Sequence, residues 1–424
     1  MDLRVVTFGC RINGYEAELI KETLSADERL GRENGLMVII NSCTVTAEAD
    51  RQCRQLIRKV RKENPDAFIV ATGCGVQTSP ESYAKMPEVD RVLGNRDKLK
   101  IENYYKDSAD FAVSDILDSE GKPFSQNLIH DFEGRNKAYL QIQQGCRHKC
   151  TYCIVPSARG INHSCSPDRI FKETERLLAS GFKELTLAGI DIASYGKDQA
   201  EYGSIASLIH NLLSSFKEIK RLRLSSFDPA EVTDDLIECF RTEERLMPHL
   251  HLSLQAGDDL TLKRMGRRHS RQDVKDLCNK LRNARPDIVF GADIITGFPT
   301  ETEEMFENTL NLVKECNLLL LHIFPYSVRN GTPAAKMPQI PVPVRKERAK
   351  ILRQEGDNLL ISFLSSTIGQ VKTVLTEKNN MGRCENYIPV KIIGKSTETE
   401  PEGKIVKVKI TGAENGCYLG ERIE

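Results

Sequence analysis

Cys146, Cys150 and Cys153 stand in the run Gly145-Cys146-Arg147-His148-Lys149-Cys150-Thr151-Tyr152-Cys153, separated by three and then two residues. Three thiolates so close in sequence can hold three irons of a [4Fe-4S] cluster and leave the fourth iron open. An open iron can chelate the amino and carboxylate groups of S-adenosylmethionine and pass it one electron. The sulfur to 5′-carbon bond then breaks and a 5′-deoxyadenosyl radical results; the protein's share is binding, orientation and shielding. Tyr152, just before the last cysteine, offers an aromatic face for adenine. The competing chemistry is a structural zinc site, which needs a fourth ligand that His148 or Cys165 could supply.

A second set of cysteines follows apolar runs in the first hundred residues: Cys10 after Thr7-Phe8-Gly9, Cys43 after Ile40-Asn41-Ser42, and Cys74 after Ala71-Thr72-Gly73. Hydrophobic patterning predicts strands over 3–8, 37–40 and 68–71, with helices over 15–30 and 46–63 between them. That alternation implies an open parallel α/β sheet, whose carboxyl edge is where ligands bind. Cysteines on three successive strand ends can meet there as a second three-thiolate site, although each alone would read as a small buried apolar residue. The helix over 46–63 carries Arg51, Arg54, Arg58, Lys59, Arg61 and Lys62, either a solvated face or a phosphate-binding patch.

Periodicity weakens over 101–136, which reads as a connection. Strand-like runs then recur at 138–142, 185–188, 222–224, 250–254, 288–295 and 318–323, with helices over 167–179, 205–216, 271–283 and 302–315. Six such β-then-α units imply an incomplete (β/α)6 barrel with its chemistry at the carboxyl ends of the strands, and the Cys146 loop follows the first strand. A proline-rich turn and a charged helix over 345–364 lead to β-branched runs at 371–375, 387–393 and 405–410, the pattern of a small antiparallel β-barrel. The expected domains are 1–108, 132–360 and 361–424.

With 424 residues the chain is long enough for two or three cores, and its 60 basic and 60 acidic side chains cancel. Any nucleic acid must therefore be held by local patches rather than an overall field. Thirteen cysteines without a secretory leader point to reduced thiols in the cytoplasm, and no apolar run is long enough for a membrane. Cysteines 53, 165, 239, 278, 316, 384 and 417 read as free thiols.

The loop from Gly145 to Pro156 with Arg159-Gly160 resembles the radical S-adenosylmethionine superfamily, and the strand-end cysteines with the terminal β-domain are similar to its methylthiotransferase branch. Within that branch, the run from Thr7 through Cys10 and Arg11 to Tyr15-Glu16, Ala193-Ser194-Tyr195-Gly196, the run from Tyr326 to Ala335, and Asn386-Tyr387 look most like tRNA enzymes acting on N6-threonylcarbamoyladenosine. The resemblance implies that Cys146, Cys150 and Cys153 hold a radical-generating cluster and that Cys10, Cys43 and Cys74 hold an auxiliary one. It implies that a methylated sulfur on the auxiliary cluster is delivered to C2 of the adenine, S-adenosylmethionine giving both methyl and radical. Gly189, Asp191, Gln255 and Asp293 lie in matched stretches and are expected around that cofactor. The last domain resembles a TRAM-like RNA-binding barrel, so the implied partners are the anticodon stem-loop of tRNA and an electron donor such as a flavodoxin or ferredoxin. The alternatives are methylthiolation of isopentenyladenosine or a ribosomal protein, and a cluster-containing RNA-binding redox protein. The chain departs from the family at Ser164-Cys165, where a basic residue is expected, and at Gly75 and Ala256.

Overall fold

The computed structural model describes residues 2–32, 35–118, 124–125, 127–129, 131–132, 134–394 and 401–423. The first unit is a five-stranded, wholly parallel sheet in chain order. It comprises β1 (Asp2–Thr7), α1 (Arg11–Ser25), β2 (Leu36–Ser42), α2 (Ala47–Glu63), β3 (Phe68–Gly73), β4 (Arg91–Leu93) and β5 (Phe111–Ala112). Alternate residues of β2 go to opposite faces: Val38 and Ile40 pack with Ile57 and Val60 of α2, whereas Met37 and Ile39 pack with Ile20 and Leu24 of α1. Both faces are covered, as a parallel sheet requires.

The helix expected over 15–30 begins instead directly after Cys10 and ends at Ser25; the Asp27 side chain accepts from Leu30 N and starts a separate turn, Glu28–Gly31. β4 and β5 escaped the pattern reading because β5 is two residues long and β4 opens on Arg91, a fully buried arginine. Part of the stretch read as a connection is therefore sheet, and its residues 119–123, 126, 130 and 133 lie outside the described residues.

The central unit carries six parallel strands in chain order: β6 (Ala138–Gln141), β7 (Glu184–Ala188), β8 (Arg221–Leu224), β9 (His249–Gln255), β10 (Val289–Thr296) and β11 (Leu318–Pro325). They pair as two three-stranded sheets joined by a parallel bridge from Phe227 to Leu252. The arc is open, and helices cover its outside, including α3 (Pro167–Ala179) after β6 and α4 (Arg271–Ala284) after β9. Two further helices, Asp234–Thr242 and Asp259–Met265, were too short to leave a clear period in the sequence.

A long helix, α5 (Val342–Ser366), runs from the central unit into a closed barrel of β12 (Val371–Thr376), β13 (Met381–Cys384), β14 (Pro389–Ile392), β15 (Ile405–Glu414) and β16 (Cys417–Arg422). The expectation of an antiparallel barrel needs one correction, since β14 and β16 pair in parallel. β15 and β16 form a hairpin through Asn415 and Gly416, both at positive φ, and closure then sets β14 beside β16 in the same direction. Among the described residues no helix is long and apolar enough to cross a membrane.

Candidate metal centres

The Cys146 loop is pinched at its base by a two-residue antiparallel pairing of Gln143–Gln144 with His163–Ser164. Gly145 has φ +72°, and a Cβ there would collide with the Ile161 carbonyl, so the entry to the loop has room only for glycine. Cys146 N bonds Gly160 O at 3.0 Å, Thr151 N bonds Met265 O at 2.9 Å, and Ala334 N bonds Thr151 O at 2.9 Å. The loop is thus tied to itself, to the helix after β9 and to the loop after β11. Cys146 Sγ accepts from His148 N and Cys153 Sγ from Val155 N, each at 3.4 Å, and Arg267 stands 3.8 Å from Cys150 Sγ. Burial pushes the Cys146 thiol up to about 12 and the Cys153 thiol to about 11, so a metal bound here would have to displace the thiol protons.

The other three cysteines come together at the carboxyl edge of the parallel sheet. Cys10 caps α1, Cys43 follows β2, and Cys74 opens a short helix after β3. Gly9 and Gly73, each at φ +97°, turn the chain immediately before Cys10 and Cys74. A Cβ on Gly9 would lie 2.6 Å from Cys43 Sγ, and one on Gly73 would lie 2.4 Å from Ser42 O. Cys10 is solvent-accessible but crowded by neighbouring atoms, which raises its thiol pKa, and burial takes Cys43 to about 11.

Arg159 joins the two centres. It lies six residues beyond Cys153, yet its Nε donates to Cys74 Sγ at 3.0 Å, its NH1 meets Glu16 at 2.5 Å, and its NH2 bonds Asn13. Lys98 closes the network on Glu16 at 2.7 Å and Asn95 at 2.8 Å, and Asn95 in turn bonds Ala158 O at 2.7 Å. Glu16, Lys98 and Arg159 are each at most 2% exposed. The two cations hold the Glu16 carboxyl below its ordinary range despite its burial.

Single-ion sites bring their donor atoms close together. Among the described residues that holds for Cys146, His148 and Asp191, and for His251, Asp293 and His322, whose ligand atoms all lie within 4.8 Å of one another. Neither cysteine triplet is packed that tightly, which suits a cluster that gives each thiolate its own iron and does not suit tetrahedral zinc. Of the two candidate fourth zinc ligands, Cys165 is buried in the barrel core beside Arg169 and Glu173, and His148 gathers with Cys146 and Asp191, its Nε2 2.9 Å from the carboxylate, and not with Cys150 and Cys153.

Of the other residues singled out in the sequence, Asp191 is beside the loop cysteines, 4.0 Å from Cys146 Sγ and 2.5 Å from Ser194 Oγ. Gly189 packs on Gln143, whose Oε1 accepts from Ile190 N and Asp191 N and whose Nε2 donates to Gly145 O. Gln143 therefore couples the Gly189 turn to the cysteine loop. Tyr152 packs against an apolar cluster containing Ala256, Phe298 and Tyr326, and Gln255 ends β9 at φ +72°. Asp293 faces His251 at 3.0 Å and His322 at 3.2 Å instead, and these partners hold its carboxyl well below the ordinary range. Five of the six cations of α2 meet carboxylates: Arg51 with Glu48, Arg54 with Asp50, Arg58 with Glu88, Lys59 with Glu63 and Arg61 with Asp90, and Lys62 is exposed. Residues that pattern reading missed are Lys98, Asn95 and Gln143; for Arg159 the signal was its place in the matched Arg159-Gly160 pair, and for Glu16 its place at the end of the matched run from Thr7.

Residues 140–313 match the Radical SAM superfamily, and residues 2–94 match Uncharacterized protein family UPF0004. The chain is 47% identical to the threonylcarbamoyladenosine tRNA methylthiotransferase of Rickettsia prowazekii, the match covering 98% of this chain and 97% of that one. It is 37% identical to the enzyme of that name from Bacillus subtilis, over 96% and 93% of the two chains. A tRNA-2-methylthio-N(6)-dimethylallyladenosine synthase from Clostridium botulinum is 32% identical over 99% and 96%. In fold, the chain is similar to the radical S-adenosylmethionine methyltransferase TsrM of Kitasatospora setae, with a TM-score of 0.54 at 14% identity, covering 79% of this chain and 75% of that one. With the open six-stranded barrel, the two cysteine centres and these full-length similarities in hand, the chain belongs to the radical S-adenosylmethionine methylthiotransferase family of tRNA-modifying enzymes.

Proposed function

We propose that this enzyme converts N6-threonylcarbamoyladenosine at position 37 of tRNA to its 2-methylthio derivative. The observation that carries the reading is full-length similarity to threonylcarbamoyladenosine enzymes in a chain whose two cysteine centres share one buried arginine. Cys146, Cys150 and Cys153 would hold the cluster that binds S-adenosylmethionine, and Cys10, Cys43 and Cys74 the auxiliary cluster. When bound, these groups supply the radical, the methyl group and the sulfur.

The chain's own residues do the positioning. Gln143 fixes the Gly189 turn and, through it, Asp191 against the Cys146 loop. Tyr152 closes an apolar wall suited to an adenine ring, with Gln255 and Asp293 as further cofactor contacts at strand ends. Arg159 sets the spacing between the centres, because it is anchored in one loop and bonded to a cysteine of the other. The working units are 1–108 for the auxiliary centre, 132–360 for the radical chemistry and 361–424 for the anticodon stem-loop. The electron comes from a flavodoxin or ferredoxin, and the enzyme works in the cytoplasm.

Mass spectrometry of tRNA nucleosides from cells with and without the gene tests the substrate. Loss of 2-methylthio-N6-threonylcarbamoyladenosine with accumulation of its unthiolated precursor is expected. A deletion that instead removes only the dimethylallyl product would replace this reading with the other tRNA substrate represented among the relatives.

A further inference from the structure

The three units meet at Tyr387, and four cations converge on its side chain. Arg383 lies over the ring at 4.4 Å, Arg223 at 5.1 Å and the Lys137 ammonium at 5.4 Å. Arg11, the residue after Cys10, brings its positive charge to the hydroxyl, and His249 of β9 stacks on the ring at 4.8 Å and 25°. The ring is held there at a backbone cost, since Tyr387 has φ +74°, a region that a tyrosine seldom adopts and that structures retain chiefly at functional positions.

Two of these cations are neutralised within the fold: Arg223 by Glu184 at 2.8 Å and Lys137 by Glu377 at 3.1 Å. Arg11 and Arg383 meet no carboxylate among the described residues. Buried Arg383 Nε has no hydrogen-bond partner, and neither has Nε2 of His249, a side chain 4% exposed. The positive surroundings favour the phenolate, pulling the Tyr387 hydroxyl below its ordinary pKa against the effect of burial. Burial, and after it the same positive charges, hold His249 well toward its neutral form. Arg383 gives one donor to the Tyr387 carbonyl at 2.9 Å, so two guanidinium groups without a carboxylate, beside a buried imidazole nitrogen without a partner, are left to receive an oxyanion. Arg11 directly follows Cys10, and His249 opens β9 while Lys137 precedes β6, so the receptor lies between the auxiliary centre and the amino ends of the barrel strands.

We propose that Arg11, Arg383, Tyr387 and His249 form the subsite for the carboxylate of the adenine's threonylcarbamoyl substituent, and so select that nucleoside over one bearing a hydrocarbon group. This rests on the substrate proposed above. A backbone phosphate has related oxyanion chemistry, so the test must separate the two.

Binding of the full-length, anaerobically reconstituted enzyme should be measured by fluorescence anisotropy with anticodon stem-loops carrying threonylcarbamoyladenosine, its methyl ester, or adenosine at the target position. Wild type should bind the acid about tenfold more tightly than the ester, the range of a charge-assisted pair. Arg383→Gln should weaken the acid to the level of the ester and leave the other two RNAs unchanged. Arg11→Gln should do the same from the first unit, which keeps the test decisive if the first variant melts early. Equal weakening for all three RNAs would assign these arginines to a phosphate and overturn the inference, as would no weakening or equal affinity of wild type for acid and ester. Wild type that binds the adenosine stem-loop as tightly as the acid would overturn the substrate reading itself.

Discussion

The two cysteine centres solve one problem in opposite ways. The Cys146 centre is local: three ligands lie within eight residues, and their geometry is set by Gly145, a two-residue pairing and the loop's own amides. The Cys10 centre is global, with ligands on three strand ends that converge only when β1, β2 and β3 pair in register. A local centre survives small changes in packing elsewhere, whereas a global one inherits every weakness of its sheet and of the interface behind it.

The sharpest way to break this comparison is to remove one ligand from each centre. Cys150→Ser should abolish both cleavage of S-adenosylmethionine and methylthiolation. Cys43→Ser should leave cleavage in place, stop sulfur insertion, and lower the iron content from about eight to about four per chain, as loss of one four-iron cluster requires. Retention of all the iron by the Cys43 variant would dissolve the distinction between the centres.

Next in size is Arg159, through which the local centre supports the global one. Arg159→Met leaves Glu16 with Lys98 alone in a site closed to water. Removing one partner of a buried ion pair costs about 3–5 kcal/mol, to be read as a fall in urea midpoint at constant m-value. The auxiliary iron should be lost before the radical-site iron.

A third effect is set by pH. Tyr15 of α1 donates to Glu173 of α3 at 2.7 Å across the interface between the first two units, and burial raises the Glu173 carboxyl from 4.5 to about 7. A raised carboxyl binds its proton more tightly folded than unfolded. Its stabilisation is therefore complete below pH about 4.5 and is lost as pH rises through about 7, a swing of about 3 kcal/mol. Denaturation followed from pH 5 to 8 should show that decline in wild type and a flatter profile in Glu173→Gln, whose amide oxygen still accepts from Tyr15. An identical slope in the variant would place the linkage elsewhere.

The same contrast explains what could be read from the residues in advance. The Cys146 triplet was legible because its spacing is its geometry. The Cys10 triplet was legible because strand periodicity announces a parallel sheet, and such a sheet gathers strand ends on one edge. The pairing of Glu16 with Lys98 was not, although Glu16 stood in a matched run, because a charged residue in a helix or loop reads as solvated unless its partner is known, and these partners lie 82 residues apart in sequence. β4 was missed for a related reason: Arg91 is buried and donates to the carbonyls of Asn103, Tyr105 and Ser108, a role with no hydrophobic signature. The parallel β14–β16 pair was hidden because strand patterns carry no direction.

The smallest effect concerns α2, the only part of the first unit whose charge suggested RNA. Arg58 is 59% exposed on its side chain and 4.0 Å from Glu88, a surface pair worth at most about 1 kcal/mol. If α2 gripped phosphates, each arginine removed would lower the slope of log affinity against log salt by about 0.7–0.9. Its neighbours already satisfy their charge on carboxylates of the same domain, so Arg58→Ala should shift stability by under about 0.5 kcal/mol and leave the salt slope of tRNA binding unchanged. A reduced slope would make the first unit an RNA-binding element in its own right. An unchanged one removes α2 from the RNA-binding surface and leaves the first unit's part in the reaction at its strand ends, where Cys10, Cys43 and Cys74 depend on the sheet and the interface.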